Sequence, residues 1–183
     1  MQSMLESKRI RIRKLQLADA PSIYRGIRHK AVARWMPTVP HPYPKNAAAA
    51  FILRSRREWK AGKAYHFGIA FRETDEVIGG IGLNNVERKS RGAELGYWLG
   101  QRWWGRGIAA EAVRLALSFG FNQLKLHRVW ARVIEGNKRS VRILEKAGFR
   151  YQGTLRESVR KGKAWCHELR FSLLGKNEGR GDG

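Results

Sequence analysis

The spacing of apolar residues changes period several times along the chain, and each change marks an element. Lys8 to Leu15, KRIRIRKL, alternates Ile10 and Ile12 with Arg9, Arg11 and Arg13, predicting a strand with an apolar inner face and a basic outer one. Asp19 and Pro21 read as the N-cap and first turn of a helix reaching about His29. Four of the five prolines fall in Trp35 to Pro44, an extended loop whose aromatics and methionine either pack into the core or wall an acceptor pocket. Asn46 caps a second helix to about Ala61, stopped by Gly62. Tyr65 to Arg72 and Val77 to Val86 form a hairpin, in which Gly79, Gly80 and Gly82 imply a bulge or a close backbone approach.

The stretch Glu94 to Phe121 organises the rest. Leu95, Tyr97 and Leu99 alternate as in a strand, whereas Val113, Ala116, Leu117 and Phe121 follow helical spacing. Between them, Gly105-Arg106-Gly107 turns strand into helix with little side-chain cover. That exposes a row of backbone N–H groups at the positive end of a helix dipole, a cradle for an anion such as phosphate. Arg128 to Ile134 is the next strand, and the helix between makes the pair a right-handed parallel crossover. Asn137 opens a short helix with Val141, Leu144 and Ala147 inward, stopped by Gly148. Phe149 to Arg160 and Ala164 to Leu174 close the fold as a hairpin around Gly162. Residues 1–175 read as one α+β domain, a mostly antiparallel sheet with one central parallel crossover and helices on both faces; 176–183 read as a disordered polar tail.

Composition narrows the setting. The single Cys166 excludes an internal disulfide, and the five histidines show no zinc-ligand spacing, so no metal is expected. No apolar run has membrane-spanning length, and a soluble cytoplasmic protein is expected. The net charge of +22 attracts anionic partners such as nucleic acid, ribosomes or phosphorylated cofactors, and it disfavours polycationic small molecules.

Two motifs make the chain resemble the GNAT superfamily of N-acetyltransferases, specifically its RimJ/RimL-type branch of ribosomal-protein acetyltransferases. The first is Arg102-Trp103-Trp104-Gly105-Arg106-Gly107, preceded by Ala93 to Leu99; the second is Asn137 to Ser140 followed by Glu145 to Phe149. The resemblance implies acetyl-CoA as cofactor. Its pyrophosphate would lie on the N–H groups from Trp104 to Ala109, including Gly105, Arg106, Gly107 and Ile108, with Gly100 and Arg102 alongside. The pantetheine arm would run along Trp98 and Leu99 between splayed parallel strands, held by the Asn137 amide. Glu94 is the candidate base, acting through water, and Ser140 the candidate group that stabilises or protonates the thiolate. Leu144 stands where many superfamily members carry a tyrosine acid, and His167-Glu168 where the branch often has an aspartate; His167 reads as a structural hydrogen-bonder.

The implied reaction is direct acetyl transfer in a ternary complex to a primary amine, in this branch the N-terminal α-amine of a ribosomal protein. A small-molecule amine acetyltransferase for an amino acid or an antibiotic would use the same apparatus. A different class is a basic nucleic-acid- or ribosome-binding module on a catalytically silent scaffold, supported by the clusters at Arg54 to Lys63 and Arg156 to Lys163. Monomer and homodimer both stay open. A dinucleotide reading of Gly105 to Ala110 fails, because Asn122 and Gln123 occupy the region where an acidic residue should close the next strand.

Overall fold

Ile10 and Ile12 turn inward as their spacing requires. In the computed structural model, which describes residues 5–175, they are buried in β2 (Ile10–Lys14). A two-residue strand, β1 (Leu5–Glu6), precedes it. The sheet continues through β3 (Tyr65–Phe71), β4 (Val77–Glu87), β5 (Gly92–Leu99), β6 (Arg128–Ile134), β7 (Arg150–Lys161) and β8 (Ala164–Leu174). The eight strands lie in the order β1-β2-β3-β4-β5-β6-β8-β7, and only β5 and β6 pair in parallel. This is the mixed sheet expected from the apolar pattern. The 176–183 tail lies outside the described residues.

Two apolar layers cover the sheet. On one face α1 (Ala20–Ile27) and α3 (Ala47–Lys60) bury Ile23, Ile27, Ala48 and Ile52 against Leu15, Ala70 and Val77. On the other, α4 (Ile108–Ser118) and α5 (Lys138–Lys146) bury Val113, Ala116 and Leu144 against Ile12, Ile69, Leu83 and Val129. The proline-rich loop joins the first layer through Met36, Val39 and Tyr43.

Several elements differ from expectation at their ends. The first helix stops at Ile27 rather than near His29, because His29 has extended ψ 124 before a further short helix, α2 (Lys30–Ala33). Asp19 sits at the N-cap without a side-chain cap bond. Its carboxylate instead accepts from Arg13 at 2.8 and 3.0 Å and from the Gln16 N–H at 2.7 Å, since a charged forked donor outcompetes a neutral amide. Asn46 likewise makes no side-chain cap bond. The helix expected to reach Phe121 widens into a π-turn over Phe119–Gln123, which carries Phe119 against Trp59, Tyr65 and Phe67 with ring centroids 5.1–6.0 Å apart.

The glycines of β4 mark a close approach. A Cβ on Gly80 would lie 2.5 Å from Trp98 Nε1, and one on Gly26 of α1 2.6 Å from the same indole. Trp98 is thus clamped between α1 and the sheet, which fixes the position of β5.

His66 is enclosed beside Phe51, with Nε2 2.9 Å from Glu58 Oε2. Burial lowers its pKa from the ordinary 6.5, outweighing the Glu58 bond that raises it. A lowered folded pKa means that the unfolded chain binds more protons below about 6.5, so stability falls as pH drops through that window. Melting temperatures of wild type and His66→Phe between pH 7.5 and 5.5 are expected to show a smaller acid-induced loss in the variant.

Candidate active site

The parallel pairing of β5 and β6 covers only Gly92/Arg128, Ala93/Val129 and Glu94/Trp130. Beyond Glu94 the strands separate, while β6 stays paired on its other edge with β8 along its full length, from Arg128/Leu174 to Ile134/Glu168. The Gly100 N–H bonds the Ile78 carbonyl, which makes Gly79/Leu99 a non-hydrogen-bonded pair of the β4–β5 ladder. By alternation, the backbone N–H and C=O groups of Tyr97 and Leu99 point away from β4 into the gap. Those of Trp98 face Gly80 instead. The open edge is therefore Tyr97 and Leu99, not Trp98 and Leu99, and Trp98 contributes a packed indole on the α1 face.

At the end of β5 the chain makes a 3-10 turn, Gln101–Trp103, and then the Gly105-Arg106-Gly107 loop. Gly105 and Gly107 have φ of +77 and +76, a region costly for a residue with a Cβ. Among the described residues, no backbone carbonyl accepts from the N–H groups of Gly105 to Ala110. They converge at the start of α4, where the helix dipole is positive. A Cβ at Gly105 would meet nothing within 4 Å, so the cradle is open. The Trp104 N–H does not belong to it, since it bonds the Gln101 carbonyl at 3.1 Å. Ile108 gives only its N–H, its side chain being core.

Two tryptophans organise cations at the mouth of this loop. Arg102 and Arg106 lie 4.4 and 5.3 Å from the Trp103 ring, and Arg139 lies 4.1 Å from Trp104. Arg102 also pairs with Glu76 at 3.2 Å. The Trp104 indole donates to the Leu99 carbonyl at 2.7 Å, leaving the Leu99 N–H as that residue's free group on the edge.

Glu94 and Ser140 flank the gap from opposite sides. Glu94 shares the α1 face with Trp98, and only 7% of it is exposed, so it is not a solvated strand-end carboxylate. Oε1 accepts from Arg132 Nε at 2.6 Å; Oε2 accepts from Arg132 Nη2 at 3.2 Å and Asn85 Nδ2 at 3.0 Å. Arg132 continues to Glu168 at 3.6 Å, and Glu168 to Arg170 at 3.3 Å and the Ser158 hydroxyl at 3.2 Å. With about four lone-pair positions on a carboxylate, one remains on Glu94 for a water or an amine.

On the α5 side, Asn137 is a true N-cap whose Oδ1 accepts the Ser140 N–H at 3.3 Å, leaving its side-chain N–H groups free of that bond. Ser140 Oγ lies 2.7 Å from the Tyr97 hydroxyl. Burial pushes the Tyr97 phenol up to about 12, against a smaller lowering by Ser140, so it keeps its proton at neutral pH. Tyr97 was legible in sequence only as an inward strand position, and the partners Asn85, Arg132 and Glu168 carried no local motif. His167 accepts the Glu157 N–H on Nδ1 at 2.8 Å, a structural bond. Among the described residues, no group of three or more His, Cys, Asp or Glu gathers as a metal set, and no helix is long and apolar enough to cross a membrane.

Residues 9–150 match the acetyltransferase (GNAT) domain. The chain belongs to the GNAT acetyltransferases. It is 32% identical over 93% of its length to the uncharacterized N-acetyltransferase p20 of Bacillus licheniformis, covering 95% of that protein. It is 33% identical to the [ribosomal protein uS5]-alanine N-acetyltransferase of Escherichia coli, over 73% of this chain and 69% of that one. Among solved structures, Mycobacterium smegmatis RimJ in complex with CoA-disulfide superposes with a TM-score of 0.82 at 26% identity, over 90% of this chain and 81% of that one.

Removing Arg132 leaves the buried Glu94 with Asn85 alone and takes one of two arginines from the buried Glu168. Because the Arg132 side chain is 36% exposed, the loss lies below that of a fully buried pair. Arg132→Ala is expected to lower unfolding free energy by about 2–3 kcal/mol in urea titrations, and Glu94→Gln/Arg132→Met by less.

Proposed function

We propose that the chain transfers the acetyl group of acetyl-CoA to the N-terminal α-amine of a protein, a ribosomal protein being the favoured class. The observation that carries the cofactor half is the open β5 edge running straight into the unpaired N–H groups of Gly105 to Ala110. An extended amide-bearing arm ending in a pyrophosphate fits that sequence of donors: backbone pairing along Tyr97 and Leu99, then phosphates at the start of α4. Asn137 offers its side-chain N–H groups to the arm from the opposite wall. Arg106 and Arg139, held on their tryptophans, add positive charge around the phosphates.

The residues divide the chemistry by face. A backbone N–H of the open β5 edge near Leu99 donates to the oxyanion as the amine adds to the thioester carbonyl. Glu94, through a water on its remaining lone pair, takes the ammonium proton on the α1 face. Ser140 donates a hydrogen bond to the sulfur on the α5 face as the carbon–sulfur bond breaks. Acetyl-CoA supplies the activated acyl group; the chain orients it and manages the protons.

The acceptor class rests on the sequence similarity to the uS5-alanine acetyltransferase and on charge, because +22 favours approach to an RNA-rich particle. Incubation with labelled acetyl-CoA and cell extract is expected to label small proteins of the ribosomal fraction at their N-termini. Label confined to small molecules would overturn the acceptor class while leaving the chemistry intact. Gly107→Val, which forces a β-branched residue to φ +76, is expected to weaken coenzyme A binding at least tenfold by titration calorimetry. Co-sedimentation with ribosomes is expected to fall steeply between about 50 and 200 mM salt; a flat response would remove the electrostatic docking.

A further inference from the structure

Tyr97 meets the gap through both its backbone and its side chain. Its N–H and C=O lie on the open edge, and its hydroxyl crosses to α5, where it meets Ser140 Oγ at 2.7 Å and the Ser140 carbonyl at 3.4 Å. Leu144, one turn further along α5, is fully buried and brings no polar atom. A serine hydroxyl otherwise rotates freely, and a rotor that points at random is a poor donor.

We propose that Tyr97 is a positioning residue for the leaving group: its hydroxyl donates to Ser140 Oγ and thereby aims the Ser140 O–H at the coenzyme A sulfur. This rests on the reading of Ser140 given above. Donation from the phenol occupies a lone pair of Oγ, turns the Ser140 proton towards the gap and polarises it, as in any chain of hydroxyls. The reverse arrangement, Ser140 donating to Tyr97, would leave the sulfur with no hydrogen bond from Ser140. In the step itself the amine nitrogen bonds to the carbonyl carbon, the carbon–sulfur bond breaks and its electron pair goes to sulfur. The amine proton leaves through water, and the sulfur later takes a proton from solvent. Ser140 and Tyr97 end with the protons they began with. The high phenol pKa is consistent with that, since the step never ionises Tyr97.

The test needs no acceptor. Coenzyme A is bound to wild type, Ser140→Ala, Tyr97→Phe and the double variant, and its thiol is titrated by thiolate ultraviolet absorbance, with dissociation constants measured alongside. A hydrogen bond to a charged group contributes about 1.5 kcal/mol or more, so the bound thiol of wild type is expected to be roughly tenfold more acidic than in Ser140→Ala. Tyr97→Phe should lose most of that acidity with affinity for the thiol form, measured below the thiol's pKa, unchanged, and should add nothing in the Ser140→Ala background. Tyr97→Phe matching wild type, or costing as much with Ser140 absent as present, would overturn the positioning role while sparing Ser140. Equal acidity in wild type and Ser140→Ala would overturn the Ser140 reading itself, and the proposal with it.

Discussion

The structure depends on one unmet pairing. β5 and β6 begin as parallel neighbours and part after Glu94/Trp130, while β6 keeps β8 on its other edge over its whole length. A sheet interior rarely leaves backbone N–H and C=O groups without partners, since each buried orphan costs free energy comparable to a lost hydrogen bond. Here the vacancy in the ladder falls at Tyr97 and Leu99, directly before the turn that opens α4. The same short run of chain therefore presents an extended open edge and, directly after it, a cluster of N–H groups with no backbone acceptor. Clamping of Trp98 between Gly26 and Gly80 holds that edge in place.

Charge is arranged in two tiers around this gap. The chain is basic enough to carry a net +22, yet Glu94 and Glu168 on the α1 side of the gap are buried and each accepts from arginine. The bridging Arg132 bonds Glu94 and pairs with Glu168, and so fixes how the two carboxylates lie relative to each other. At the glycine loop Arg102 pairs with Glu76, but aromatic rings rather than carboxylates hold the other two arginines: Trp103 carries Arg106 and Trp104 carries Arg139. A ring face positions a guanidinium without cancelling its charge, so these cations stay available to an anion.

The sequence by itself determined most of the fold. Alternation in KRIRIRKL, the turn residues of the hairpins and the strand-to-helix change at Gly105-Arg106-Gly107 are local patterns, and each reflects a backbone preference acting over a few residues. The open N–H groups of that turn were legible for the same reason, because glycines at positive φ directly before a helix leave its first N–H groups without backbone acceptors. Asn137 was legible as a cap, since the cap bond spans only three residues.

Tertiary structure decided the rest, and in each case the deciding partner is remote in the chain. Asp19 left its capping role for Arg13 from β2; Glu94 became a buried member of a cluster through Asn85 and Arg132 rather than a strand-end carboxylate. Which residues of β5 face the gap follows from the register with β4, and that register moved the open edge from Trp98 to Tyr97. The Tyr97–Ser140 contact spans 43 residues and depends on β5, β6 and α5 being placed together. Hydrogen bonds between distant side chains arise from packing geometry, and no local spacing in the sequence encodes that geometry.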